Sequence, residues 1–250
     1  MRSVLMVILA VLLSACASTN QLSDPEPTKG EKAARINTQL GVAYMREGQY
    51  EQAADKLQKA LRQAPHYAEA YAVSAVLAER IGEHEKAQRY HRRAVELAPD
   101  NASMLNNFGR FLCTRGKVDE ALGYFERAVG NSLYRTPEVP LGNAGLCLMR
   151  EGDRTRAEDY FLRALRANPT FAPALLPMAE IRLQNGDALS ARGFHQRYVE
   201  QAPQTAASLW LGIRIERELG NRDAAASYSL LLRNNFPDSE EARKLRETAH

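Results

Sequence analysis

Residues 36–65 read INTQLGVAYMREGQYEQAADKLQKALRQAP, and this stretch decides the fold. On both sides of Gly48 the apolar residues recur at steps of three and four (Leu40 and Tyr44, then Ala53, Leu57, Ala60 and Leu61), which is helical spacing and not strand alternation. Gly48 supplies the left-handed backbone that ends one helix and turns the chain into the next. Pro65 has no amide to donate to a continuing helix, so it closes the second. The unit is a helix hairpin. Laid against itself, the chain repeats it: Gly48, Gly82, Gly116, Gly152, Gly186 and Gly220 fall at intervals of 34, 34, 36, 34 and 34 residues. Five residues after each glycine stands an alanine (Ala53, Ala87, Ala121, Ala157, Ala191, Ala225), small enough for two helices to approach closely. Seventeen after it stand Pro65, Pro99, Pro169, Pro203 and Pro237, with Leu133 as the exception.

This register is similar to that of the tetratricopeptide repeat. In the first repeat, residues 34–67, the matching positions are Leu40, Gly41, Tyr44, Ala53, Leu57, Ala60 and Pro65; in the fourth, residues 138–171, they are Ala144, Gly145, Leu148, Ala157, Phe161, Ala164 and Pro169. Repeats two (68–101), three (102–135), five (172–205) and six (206–239) match at fewer positions. His91 and His195 stand where a large aromatic is usual, and Tyr198 and Leu232 replace a small alanine. The resemblance implies an all-α, right-handed superhelical solenoid of six hairpins. SLYRTPEVP (132–140) carries a two-residue insertion, so a distorted junction is expected between repeats three and four. Pro173 is tolerable near a helix start, whereas Pro177 lies deeper and predicts a kink or late start. DSEEARKLRETAH, from Asp238, offers Asp238 or Ser239 as an N-cap and predicts a short polar capping helix over 240–250.

Upstream, VLMVILAVLLSACAS (4–18) holds an apolar run half as long as the roughly 20 residues a spanning helix needs. One positive charge, a short apolar region and small residues before a processing point mark a secretory signal peptide over 1–15. Leu13-Ser14-Ala15-Cys16 resembles the lipobox of bacterial lipoproteins, which makes Cys16 the lipidated first residue of the mature chain. Ala17 follows in place of aspartate, and the same resemblance then implies an outer-membrane, lipid-anchored destination. Acyl chains hold through about 0.8 kcal/mol per buried methylene. Residues 16–33 contain Pro25, Pro27 and Gly30 among polar side chains and read as a leash; ~16 such residues have a root-mean-square span of about 22 Å.

Charge points to no polyanion. Cleavage before Cys16 removes one of 33 basic residues, Arg2, and none of the 30 acidic ones. A nucleic-acid binder carries a basic stripe with motif support, and none is present. Cys113 and Cys147 enter an oxidising compartment in which a close pair can bridge, yet sequence alone does not bring their Cα atoms together; two buried apolar thiols are expected. The five histidines, His66, His84, His91, His195 and His250, are not paired at metal-ligand spacing, and His91 and His195 read as packed core residues. Gly142-Asn143-Ala144-Gly145 matches no phosphate loop, no serine sits in a nucleophile elbow, and the paired acids fall at caps and turns. The sequence therefore predicts no enzyme, no cofactor, no metal and no small-molecule substrate.

Function then comes from surface. First helices of stacked hairpins line a concave groove that recognises segments of partner proteins. The register places Thr38, Val42 and Met45 there from repeat one, and Ala72, Val73, Val76 and Glu79 from repeat two. Repeat three contributes Asn106, Asn107 and Arg110, and repeat four Asn143, Leu146 and Met149. The first two repeats are mostly apolar; the asparagines offer amides suited to a partner's backbone. Pro173 and Pro177 occupy places where the carboxylate clamp of chaperone co-factors carries basic residues, so a free C-terminal carboxylate is not the expected ligand.

LNNFGRFLC (105–113), SLYRTPEVPLGNAGLCLM (132–149) and ASLWLGIRIERELGNRDAAASYSLLLRNNFPDS (207–239) resemble the PilF/PilW family of type IV pilus biogenesis lipoproteins. That resemblance implies a pilotin, which binds secretin subunits and promotes their outer-membrane localisation and multimerisation. The alternative expectation is a lipoprotein scaffold for peptidoglycan hydrolases or outer-membrane β-barrel assembly.

Overall fold

The computed structural model describes residues 26–248. Thirteen helices follow one another, and no strand occurs among the described residues. They pair as hairpins: α1 (Lys29–Arg46) with α2 (Tyr50–Gln63), α3 (Ala68–Arg80) with α4 (His84–Leu97), and α5 (Ala102–Thr114) with α6 (Val118–Val129). The second half repeats the scheme with α7 (Glu138–Glu151) and α8 (Arg154–Ala167), α9 (Ala172–Gln184) and α10 (Ala188–Gln201), and α11 (Ala206–Glu218) and α12 (Arg222–Asn235), closed by α13 (Glu240–Glu247). Each second helix packs on the first helix of the next hairpin, and first helices also touch one another, α1 with α3, α5 with α7, α7 with α9 and α9 with α11. The result is an all-α tetratricopeptide-repeat solenoid.

All six repeat glycines have positive φ, from 70° to 88°, a conformation that a Cβ disfavours. Inside the hairpins the helices close on glycine as well: a Cβ on Gly145 would lie 2.6 Å from a ring carbon of Phe161, and one on Gly109 2.7 Å from Phe125. These two phenylalanines, with Phe108 and Phe111, are fully buried. Removing such side chains from water contributes about 1.5–3 kcal/mol each. They anchor one continuous core running from Ala78 to Tyr198. The first hairpin rests on smaller clusters, one of them with Ala34, Ala60, Ala64 and Ala70 as its buried members and Leu61 and Tyr67 packed against them.

Residues 29–33, expected in the leash, belong to the first helix, while residues 16–25 lie outside the described residues. The first helix begins at Lys29, before the expected repeat start, because Thr28 and Glu31 form a reciprocal capping box with bonds of 3.2 and 2.7 Å. The expected late start of the fifth repeat is not seen either. α9 opens at Ala172 with Pro173 in its first turn, where a missing amide costs nothing, and continues through Pro177. Ser239, not Asp238, caps α13, which buries Ala242 and Leu245 against Leu209, Ile213 and Leu232.

The expectation of two free thiols is overturned. Cys113 and Cys147 form a disulfide between α5 and α7 with their Cα atoms 5.8 Å apart. The cysteines are 34 residues apart where the local repeat is 36, so Cys147 stands two positions short of the register equivalent of Cys113. At that junction residues 130–137 form an irregular turn, held to the preceding repeat by the bond from Asn131 Nδ2 to the Asp100 carbonyl at 2.7 Å.

Both core histidines are 2% exposed. His91 lies stacked on Phe108, and its Nε2 meets Glu79 Oε1 at 2.7 Å. His195 Nε2 lies 2.8 Å from the carbonyl of Ser208; a carbonyl only accepts, so this nitrogen carries the proton. Burial holds the imidazole of His195 below its ordinary pKa, against the opposing pull of the Ser208 carbonyl and Glu216.

Candidate functional site

Helical spacing brings Arg35, Thr38, Gln39, Val42 and Arg46 to one side of α1, facing Glu69 and Val73 of α3. They line a cleft of about 630 Å³ that Tyr67 helps to close. A second cleft of about 240 Å³ continues it past Val76 and Arg80 to Asn107; Val42, Arg46 and Val73 belong to both. Together they form a trough with a valine floor and a guanidinium rim. A further cleft, between α2, α3 and α4, carries Glu83 and Lys86, which already pair at 2.9 Å.

Of the residues expected in the groove, Val42, Val73 and Val76 are half-buried trough lining, as is Ala72. Thr38 is buried, its hydroxyl donating to the Ala34 carbonyl at 2.8 Å. Met45 is 6% exposed and packs with Ala53, Leu57 and Leu77, touching the trough only at its edge. The carboxylate of Glu79 is taken by His91. Asn106 is buried and accepts from Asn143 Nδ2 at 2.8 Å, so these two amides tie α5 to α7. Asn107 lines the second cleft. Arg110 and Leu146 are exposed, and Met149 packs against the central core. Cys16 and the signal segment lie outside the described residues.

Sequence reasoning missed Arg35, Arg46, Tyr67 and Arg80. The signal for two of them was present: Arg46 and Arg80, like Arg150, each stand two residues before a repeat glycine. Tyr67 donates to the carboxylate of Glu69. Burial, reinforced by that carboxylate, pushes the phenol up to about 12, with Arg35 pulling the other way. Arg80 Nη1 is pinned to the Met45 carbonyl at 3.2 Å. Among the described residues Arg46, Arg80, Arg110 and Arg150 form no salt bridge. The far end of the array differs. Glu180 of α9 takes Arg214 of α11 through both carboxylate oxygens at 3.0 and 2.8 Å.

Among the described residues no three His, Cys, Asp or Glu side chains gather around a metal-sized point, and no helix is long and apolar enough to cross a membrane. Valine floor, amides and guanidinium forks are the chemistry of polypeptide recognition.

Fold and trough together define a tetratricopeptide-repeat protein, an interaction scaffold. The tetratricopeptide-repeat family models match residues 32–100, and 80–135 with 143–206. The chain is 33% identical to the type IV pilus assembly protein PilF of Pseudomonas aeruginosa over 241 residues, 96% of each chain. The solved structure of Pseudomonas aeruginosa PilF superposes with a TM-score of 0.80 at 31% identity, covering 88% of this chain and all of that one. The crystal structure of PilW, a widely conserved type IV pilus biogenesis factor, superposes at 0.75 with 34% identity, covering 85% and 97%. This chain belongs to the PilF/PilW family of tetratricopeptide-repeat proteins of type IV pilus biogenesis.

Proposed function

We propose that this chain is an outer-membrane lipoprotein pilotin: Cys16, acylated, moors it to the periplasmic face of the outer membrane, and its concave trough holds secretin subunits while they localise and assemble. The observation that carries the reading is the likeness to a pilus assembly protein across nearly the whole chain. The lipobox Leu13-Ser14-Ala15-Cys16 at the head of the same chain supports it. No chemistry is asked of the protein. It supplies a surface, a leash short enough to keep that surface near the bilayer, and an anchor that decides which bilayer.

The test separates anchor from grip. In a deletion strain, secretin is expected to accumulate as monomers away from the outer membrane, with pili lost. Complementation with Cys16→Ser should give a folded protein in the periplasm that still co-purifies with secretin but fails to deliver it. Normal secretin multimers in the deletion strain would overturn the proposal. Envelope or cell-shape defects with pili intact would point to the scaffold for peptidoglycan hydrolases or β-barrel assembly.

A further inference from the structure

The face formed by the first helices carries four arginines that form no salt bridge with any acid among the described residues. Arg46 and Arg80 end α1 and α3, Arg150 lies in the last turn of α7, and Arg110 lies one turn before the end of α5. All four are exposed. One hydrogen bond to a carbonyl occupies part of Arg80, and Arg150 has only a long contact, 3.9 Å, to Cys113 Sγ. The column containing Arg110 continues as Val42, Val76 and Leu146 in the other early repeats, so guanidinium groups and aliphatic side chains alternate over the same face. In repeats five and six that column holds Glu180 and Arg214, which neutralise each other. These four guanidinium groups belong to repeats one to four; Arg46 and Arg80 line the trough, which runs from α1 across α3 to Asn107 of α5, and Arg110 and Arg150 stand beyond it on α5 and α7. Glu69 and Glu79 reach that region with their carboxylates bonded to Tyr67 and His91, and neither forms a salt bridge with Arg46, Arg80, Arg110 or Arg150.

Arginine is weakly hydrated and presents a planar fork that matches a carboxylate, so a row of unpaired arginines beside an apolar floor is complementary to acids interleaved with aliphatic residues. Packed helices stand about 10 Å apart. A segment crossing successive first helices thus meets a new guanidinium at about that interval, roughly three residues of extended chain or seven of helix.

We propose that the trough of α1 and α3, extended by the guanidinium groups of Arg110 and Arg150 on α5 and α7, selects a segment of the secretin in which aspartates or glutamates, spaced about 10 Å apart, alternate with aliphatic side chains. This rests on the pilotin reading, which names the partner; the arginines and valines name the chemistry within it.

The experiment titrates the full chain with labelled short peptides tiled along the secretin of the same bacterium. A designed peptide of alternating Leu and Glu, and its Leu and Gln counterpart, serve as defined probes. Acidic, aliphatic secretin peptides should bind best, and the Glu probe should bind roughly tenfold tighter than the Gln one. Raising salt from about 0.05 to 0.5 M should erase most of that difference. Arg46→Glu and Arg110→Glu should each weaken binding roughly tenfold, whereas Arg46→Lys keeps most of it and Arg89→Glu, on α4 away from the trough, changes nothing. Circular dichroism confirms that each variant is folded. Secretin peptides that bind with equal strength to the parent and both reversed variants, or Glu and Gln probes that bind alike, overturn the charge reading and leave the pilotin role standing. A Glu probe that binds while no secretin peptide does removes the secretin as occupant, and the pilotin role with it.

Discussion

Gly145 has no Cβ because Phe161 occupies the place where one would go, with three ring atoms between 2.6 and 2.8 Å of it. Neither partner can retreat, since the ring is fully buried between α7 and α8. Gly145→Ala is therefore expected to cost about 1–3 kcal/mol, read as a fall of several degrees in melting temperature. Gly48→Ala tests a different cause. No atom lies within 4 Å of the added carbon, so only the positive φ of 75° is penalised, by about 1–2 kcal/mol. His195 ties stability to pH. Its folded pKa is depressed below the ordinary 6.5, so as pH falls the unfolded chain takes up the proton first. Its contribution is complete above about pH 6.5 and drains away beneath it. Melting curves recorded across that range should show a slope that shrinks in His195→Gln.

Between elements the disulfide is the largest single constraint. It closes a loop of 34 residues and joins α5 to α7 beside the insertion, where the turn between repeats is irregular. Loop-closure entropy for that length gives about 3–4 kcal/mol. Urea unfolding of the oxidised and reduced protein should differ by that amount, and Cys147→Ser should behave as the reduced form does. At the other end, α13 lays Leu245 on Leu209, Ile213 and Leu232. Leu245→Ala is expected to lose about 2–3 kcal/mol, because the side chain is buried against these three and its removal leaves a cavity.

Across the whole molecule the core is uneven. One aromatic-rich cluster unites repeats two to five, while the first hairpin is held by alanine-lined contacts and a small group around Met45 and Leu57. Stability in repeat arrays follows such neighbour contacts. Hydrogen exchange should be fastest in α1 and α2 and slowest in α5 to α8. The trough lies on that softer end. A bound partner segment should accordingly slow exchange in α1 and α3 more than elsewhere.

The sequence by itself determined the helix hairpin, its six-fold repetition, the distorted junction and the face on which a groove forms, since each is written in local spacing that a chain can hardly disobey. It located Val42, Val73, Val76 and Asn107 on that face for the same reason. Only the tertiary structure decided that Cys113 meets Cys147, that Asn143 satisfies Asn106, and that Glu180 claims Arg214 while Arg46 and Arg110 form no salt bridge among the described residues. Those pairings depend on how each hairpin is rotated on the last and on the register shift of the two-residue insertion. No spacing along the chain records that rotation, because it is set by side chains from neighbouring repeats filling the space between them.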